Sequence, residues 1–120
     1  MIYNTDNIFA KIIRGEIPAN IIYDSKHALA FEDIDPKASA HVLVIPKGQY
    51  VSLTDFSLNA SADELEGFHK AVAHVISEKG LHYDGYRAIC NTGENGGQEV
   101  PHFHMHILGD EKLPPMISKA

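Results

Sequence analysis

The sequence predicts an α+β domain, a mainly antiparallel sheet of about five strands with two helices. Three observations predict it. Short β-branched or apolar runs follow one another across tight turns. Only two segments carry a helical apolar stripe. The strict alternation of strand and helix that a parallel sheet requires is missing. A chain of 120 residues is the length of one domain, and no internal repeat or linker divides it.

The elements follow in order. Asp6 or Asn7 can cap a short helix over Ile8 to Arg14, and Gly15 can end it. Its apolar stripe is Ile8, Phe9, Ile12 and Ile13. Ile21 to Asp24 and Ala28 to Glu32 read as strands across a Ser25-Lys26 turn. Asp33-Ile34-Asp35-Pro36 has turn chemistry. His41 to Pro46 is a short β-branched strand with His41, Leu43 and Ile45 on one face and Val42 and Val44 on the other. The long helix runs from Ala62 to Lys79, with Ser61 and Glu64 spaced as a capping box and Gly80 suited to the C-terminal turn. Leu65, Phe68, Val72, Val75 and Ile76 are its buried stripe. Tyr86 to Asn91 is a strand, Asn91 to Val100 a glycine-rich loop, and His102 to Leu108 the last strand. The tail from Glu111 to Ala120 holds Pro114-Pro115 and is expected to be irregular.

Composition narrows the function. Ten basic against sixteen acidic residues give a formal charge of −6, a poor basis for neutralising a nucleic-acid backbone. Cys90 is the single cysteine, so disulfide scaffolds and multi-thiolate zinc sites are excluded. The N-terminal residues lack a secretory pattern, and no apolar run is long enough for a membrane span, so a cytoplasmic protein is expected. The unusual count is eight histidines.

Three of these histidines alternate in Pro101-His102-Phe103-His104-Met105-His106-Ile107-Leu108. In a strand they would project from one face about 7 Å apart, with Phe103, Met105 and Ile107 turned to the core. Such a row can be a solvated polar face, a zinc site of neutral imidazoles, or nucleophilic and acid–base machinery at a phosphate. The loop Asn91-Thr92-Gly93-Glu94-Asn95-Gly96-Gly97-Gln98-Glu99 just ahead of it favours the third reading. Its glycines let backbone N–H groups converge on an anion, although it lacks the Gly-Lys-Ser/Thr ending of a P-loop. The remaining histidines, His27, His69, His74 and His82, have no motif around them.

The histidine pattern resembles the signature of the histidine triad family, most closely its nucleotide-binding Hint branch. Further blocks carry the resemblance: Ile8 to Ile13, Leu29 to Ile34, His41 to Lys47 and Gly96-Gly97-Gln98, in the family's order from about Ile8 to Asp110. The resemblance implies a single domain over 1–120, with a core of about 8–110 and a divergent tail over 111–120. It implies a symmetric homodimer that hydrolyses a purine nucleoside 5′-phosphoramidate, an AMP derivative, through a covalent nucleotidyl-histidine. His104 matches the nucleophile, His106 the donor to the phosphate, His102 the residue that orients the nucleophile partly through its backbone, and His41 a fourth histidine completing the network. Asp33 matches the ribose ligand; Ile8, Phe9, Ile12, Phe31, Ile34 and Leu43 match the apolar clamp on the base. Asn91 matches a contact to phosphate or ribose, with Gly97, Gln98, Glu99 and Val100 in the loop beside it. Glu99 stands where many members carry Ser or Thr; it is expected to act as a general acid if burial raises its pKa, or else to face solvent. No metal, cofactor, nucleic acid or membrane is expected to take part. Hydrolysis of dinucleoside polyphosphates, nucleotidyl transfer and a nucleotide-binding scaffold are the rival functions.

Overall fold

A computed structural model describes residues 2–117. The expected sheet is there, with β1 (Ile21–Asp24), β2 (Ala28–Glu32), β3 (Ala40–Pro46), β4 (Tyr86–Ile89) and β5 (Met105–Gly109). Its spatial order is β1-β2-β3-β5-β4, and every neighbouring pair is antiparallel. Among the described residues four helices accompany it: α1 (Ile8–Ile13), α2 (Leu53–Asn59), α3 (Ala62–Glu78) and the single turn α4 (Gly93–Gly96). Two of these were expected. The tail up to residue 117 has no helix or strand; its last three positions lie outside the described residues. No helix among the described residues is long and apolar enough to cross a membrane.

The helix ends follow from local chemistry. Asn7, not Asp6, caps α1, its side chain accepting from the Ala10 N–H, and Gly15 ends the turn at φ +77°. Both halves of the Ser61–Glu64 capping box form at α3. Ser52 caps α2, which buries only Phe56, so no stripe announced it. In α4, two of four residues are glycine, the poorest helix former after proline, which is why the segment reads as loop.

The β3 alternation divides the core in two. Val42 and Val44 join Phe56, Phe68, Val75, Phe103 and Ile107 on the α3 side. Leu43 and Ile45 join Phe9, Leu29 and Phe31 on the α1 side. The α3 side is sealed by aromatic stacking of Phe56 on Phe103 and of Phe68 beside them.

The last strand corrects the sequence reading. It begins at Met105 rather than His102, and β4 correspondingly stops at Ile89 rather than Asn91. The β3–β5 ladder pairs Val44 with Met105 and goes no further. The next positions of β3 approach Pro46, which has no N–H to donate. The Phe103 N–H instead donates to the Tyr50 carbonyl, and the His102 ring takes the Pro46 carbonyl. The alternation of faces nevertheless persists: Phe103 and Ile107 lie in the α3-side core, while His102 and His104 lie against Phe9 on the α1 side.

Candidate active site

A cleft of about 570 Å³ opens on the α1 side of the sheet, a size usual for a small-molecule site. α1 contributes Ile8, Phe9 and Ile12; β2 and β3 contribute Phe31, His41 and Leu43. Asp33 and Ile34 come from the turn between those strands, His104 and His106 from the last strand and its approach. Asn91, Gly97, Glu99 and Val100 form the loop wall. One end is therefore apolar and the other carries imidazoles, carboxylates and loop backbone.

Hydrogen-bond partners assign the proton on each of four imidazoles. The His104 Nδ1–H donates to the His102 carbonyl at 2.7 Å, which leaves Nε2 of His104 with its lone pair. His102 donates Nε2–H to the Pro46 carbonyl at 2.8 Å and accepts at Nδ1 from the Tyr3 hydroxyl. The backbone N–H of Lys37 donates to Nδ1 of His41 at 3.0 Å, so His41 carries its proton on Nε2. That Nε2–H donates to Nδ1 of His106 at 2.9 Å, so His106 carries its own proton on Nε2. The pair His104 and His106, with ring centroids 5.0 Å apart, thus offers one unprotonated nitrogen and one N–H donor. Phe9 stands edge-on to His104, centroids 4.9 Å apart, and closes its back.

Electrostatics keep this set neutral. Burial pushes His102 down to about 4, only partly opposed by its bond to the Pro46 carbonyl. Burial, then the proximity of His104 and His41, pushes His106 down to about 4. Burial also lowers His104, opposed by the His102 carbonyl and by the carboxylates of Asp33 and Glu99. Burial lowers His41 against the pull of Asp33, whose Oδ2 lies 3.4 Å from His41 Nε2. At pH 7 all four are imidazoles, not imidazolium ions.

Asp33, His41 and His106 also present atoms within 4.8 Å of one another, close enough to be tested as a metal site. The donor chemistry opposes it. The Lys37 N–H occupies the Nδ1 lone pair of His41 and keeps Nε2 protonated. A metal at Nε2 would need that proton moved to Nδ1 and the backbone bond broken. As arranged, His41 donates to His106, with the Asp33 carboxylate 3.4 Å from the same Nε2.

Two expected site residues do not reach the cleft wall. His102 is wholly buried behind His104 and presents only its carbonyl to it. Gln98 braces the loop: its Nε2 donates to the carbonyls of Val51 and Val100, and its Oε1 accepts from Gly93. Ile34 lines the mouth and is 92% exposed, so it forms an edge of the apolar wall, not its interior. Glu99 lines the cleft but is exposed, so the burial that a general-acid role would need is absent. Sequence reasoning missed Tyr3 and Lys37, which hold His102 and His41, and Ile17, Pro18, Ala19 and Ile89, which also line the cleft, Ile89 beside His106. No periodicity marks Tyr3; for Lys37 the signal was the Asp-Pro turn, which presents a free backbone N–H to the start of β3.

Comparison with known proteins shows what the chain is similar to. The family model described as HIT domain matches residues 14–113. The chain is 48% identical to an uncharacterized HIT-like protein of Azospirillum brasilense, covering 98% of this chain and 97% of that one. It is 45% identical over 114 residues to the purine nucleoside phosphoramidase of Escherichia coli, covering 94% of each. A histidine triad protein from Clostridium difficile superposes with a TM-score of 0.85 at 41% identity, covering 97% of this chain and 100% of that one. A HIT family hydrolase from Legionella pneumophila gives 0.83 at 36% identity, with 91% and 96% covered.

Proposed function

The chain belongs to the HIT domain family, and we propose that it hydrolyses purine nucleoside 5′-phosphoramidates, AMP derivatives, through a nucleotidyl-histidine on His104. The observation that carries this reading is the pairing of an unprotonated Nε2 on His104 with an Nε2–H donor on His106 at one cleft. A nucleophile for phosphorus and a donor for a phosphoryl oxygen are the two groups this displacement needs.

Nε2 of His104 forms a bond to phosphorus as the bond from phosphorus to the leaving amine breaks. The electron pair leaves on the amine, which takes a proton from solvent. Water then forms the new O–P bond as the N–P bond to His104 breaks, and gives one proton back to solvent. Throughout, the His102 carbonyl holds Nδ1–H of His104 and can stabilise the positive charge that develops on the ring. His41 keeps His106 in its donor form, and Lys37 keeps His41 in its own. Asp33, at the junction of the apolar and polar ends, accepts the ribose hydroxyls. Ile8, Phe9, Ile12, Phe31 and Leu43 take the base, with Ile34 at the edge. Asn91, Gly97 and Val100 offer polar and backbone groups at the phosphate end, and Gln98 holds their loop.

The same reading makes the protein a cytoplasmic homodimer. β1 and β4 at the open sheet edges and a half-exposed Tyr86 on β4 support the dimer. Comparing turnover of adenosine 5′-phosphoramidate with that of diadenosine polyphosphates tests the substrate assignment. The phosphoramidate is expected to be the faster substrate by at least an order of magnitude, and the reverse ranking would overturn the assignment.

A further inference from the structure

We propose that Glu99 sets leaving-group specificity, favouring phosphoramidates whose amine carries a second positive charge; this rests on the phosphoramidase reading and names the substrate class within it.

The inference comes from the charges of the cleft. Lys37 is the one basic side chain that lines it among the described residues, and it is already engaged. Its Nζ lies 2.7 Å from the Asp35 carboxylate and 2.8 Å from the Asp35 carbonyl. Glu32, also on the wall, pairs with Lys79 at 2.7 Å. Two cleft carboxylates then have no lysine or arginine partner among the described residues: Asp33 and Glu99. Asp33 is committed beside His41, and its Oδ1 accepts from the Asp35 N–H. Glu99 is exposed on the loop wall, free to meet whatever extends past the phosphorus.

Both carboxylates act on His104, since each favours its protonated form. The histidines supply no opposing charge, because burial holds them neutral. A phosphoryl group can be bound here by aimed N–H donors, which need no net charge. A leaving group that extends past the phosphorus meets the exposed Glu99 carboxylate, whose field also reaches Lys37, itself paired to Asp35. An anionic leaving group, whether a carboxylate-bearing amine or a further phosphate, is repelled; an amine with a tethered ammonium is attracted. For charges roughly 6–8 Å apart in largely aqueous surroundings, each unit on the leaving group changes kcat/KM by about two- to threefold.

The test uses adenosine 5′-phosphoramidates of three amines of equal chain length, ending in an ammonium, a methyl group or a carboxylate. They are assayed on the wild-type protein, Glu99→Gln and Glu99→Lys at low salt. The expected wild-type order is ammonium, methyl, carboxylate, with about a six- to tenfold ratio between the extremes. Glu99→Gln compresses that ratio at least about threefold, Glu99→Lys reverses the order, and high salt flattens all three proteins. An unchanged ratio in Glu99→Gln, or equal wild-type rates on all three substrates, overturns the specificity role while leaving the phosphoramidase reading standing. Failure of the wild type to hydrolyse any of them overturns that reading, and the specificity role with it.

Discussion

Each proton in the site is set by a partner on the backbone or on a neighbouring side chain. Nδ1 of His104 is held by one carbonyl and Nδ1 of His41 by one N–H, so the unprotonated nitrogen and the N–H donor are fixed before any ligand binds. Because burial lowers His104, protonation of its free nitrogen in acid is displaced below the ordinary imidazole value of 6.5. The acid limb of kcat/KM against pH is therefore expected below 6.5, and a limb at or above that value would contradict the neutral-site account. Tyr3→Phe removes the hydroxyl that donates to Nδ1 of His102 and leaves a wholly buried acceptor unpaired. It is expected to cost about 1–3 kcal/mol, read as a lower denaturant midpoint with an unchanged m-value. The histidine alternation was legible in the sequence because period two is a local signal, whereas Asp33 read locally as a turn residue and entered the expected site only through the family resemblance. Tyr3 was not legible, since its partner lies 99 residues away in the chain and no spacing links them.

Among the elements, α1, α3 and the β-strands that carry clear periodicity were read to within a few residues, and the rest show where local signals end. The α3 capping box is such a local signal. Ser61→Ala is expected to lower stability by about 1 kcal/mol, measured by denaturant titration, with kcat/KM unchanged, since Ser61 is remote from the cleft. The short helices α2 and α4 escaped because one buries a single side chain and the other is half glycine. The late start of β5 is the instructive case. A row of alternating residues predicts a continuous strand, but Pro46 cannot extend the ladder, and the chain leaves the sheet over 102–104. That departure is what brings the His102 carbonyl to Nδ1 of His104. Only knowledge of which strand lies beside the histidines could have shown it.

On the scale of the whole molecule, the sheet separates two tasks. The α3 face is an aromatic and aliphatic core, and the α1 face combines a smaller core with the cleft. Placing neutral imidazoles in that second core makes stability depend on pH. His102 is depressed to about 4 from an unfolded value near 6.5, so the unfolded chain binds more protons between those values. The stabilisation is complete above 6.5 and is lost as pH falls toward 4, by about 3 kcal/mol for His102. Denaturant midpoints measured across that range are expected to fall as acid is added; a midpoint flat through the window would contradict the buried neutral site. In the proposed mechanism His104 becomes covalently nucleotidylated. Rapid-quench mass spectrometry of the wild-type protein with adenosine 5′-phosphoramidate tests it most directly. The predicted result is an adduct of one AMP less water on His104, absent from a His104→Ala protein that still binds AMP but has no turnover. An adduct on another residue, or turnover by His104→Ala, would contradict it.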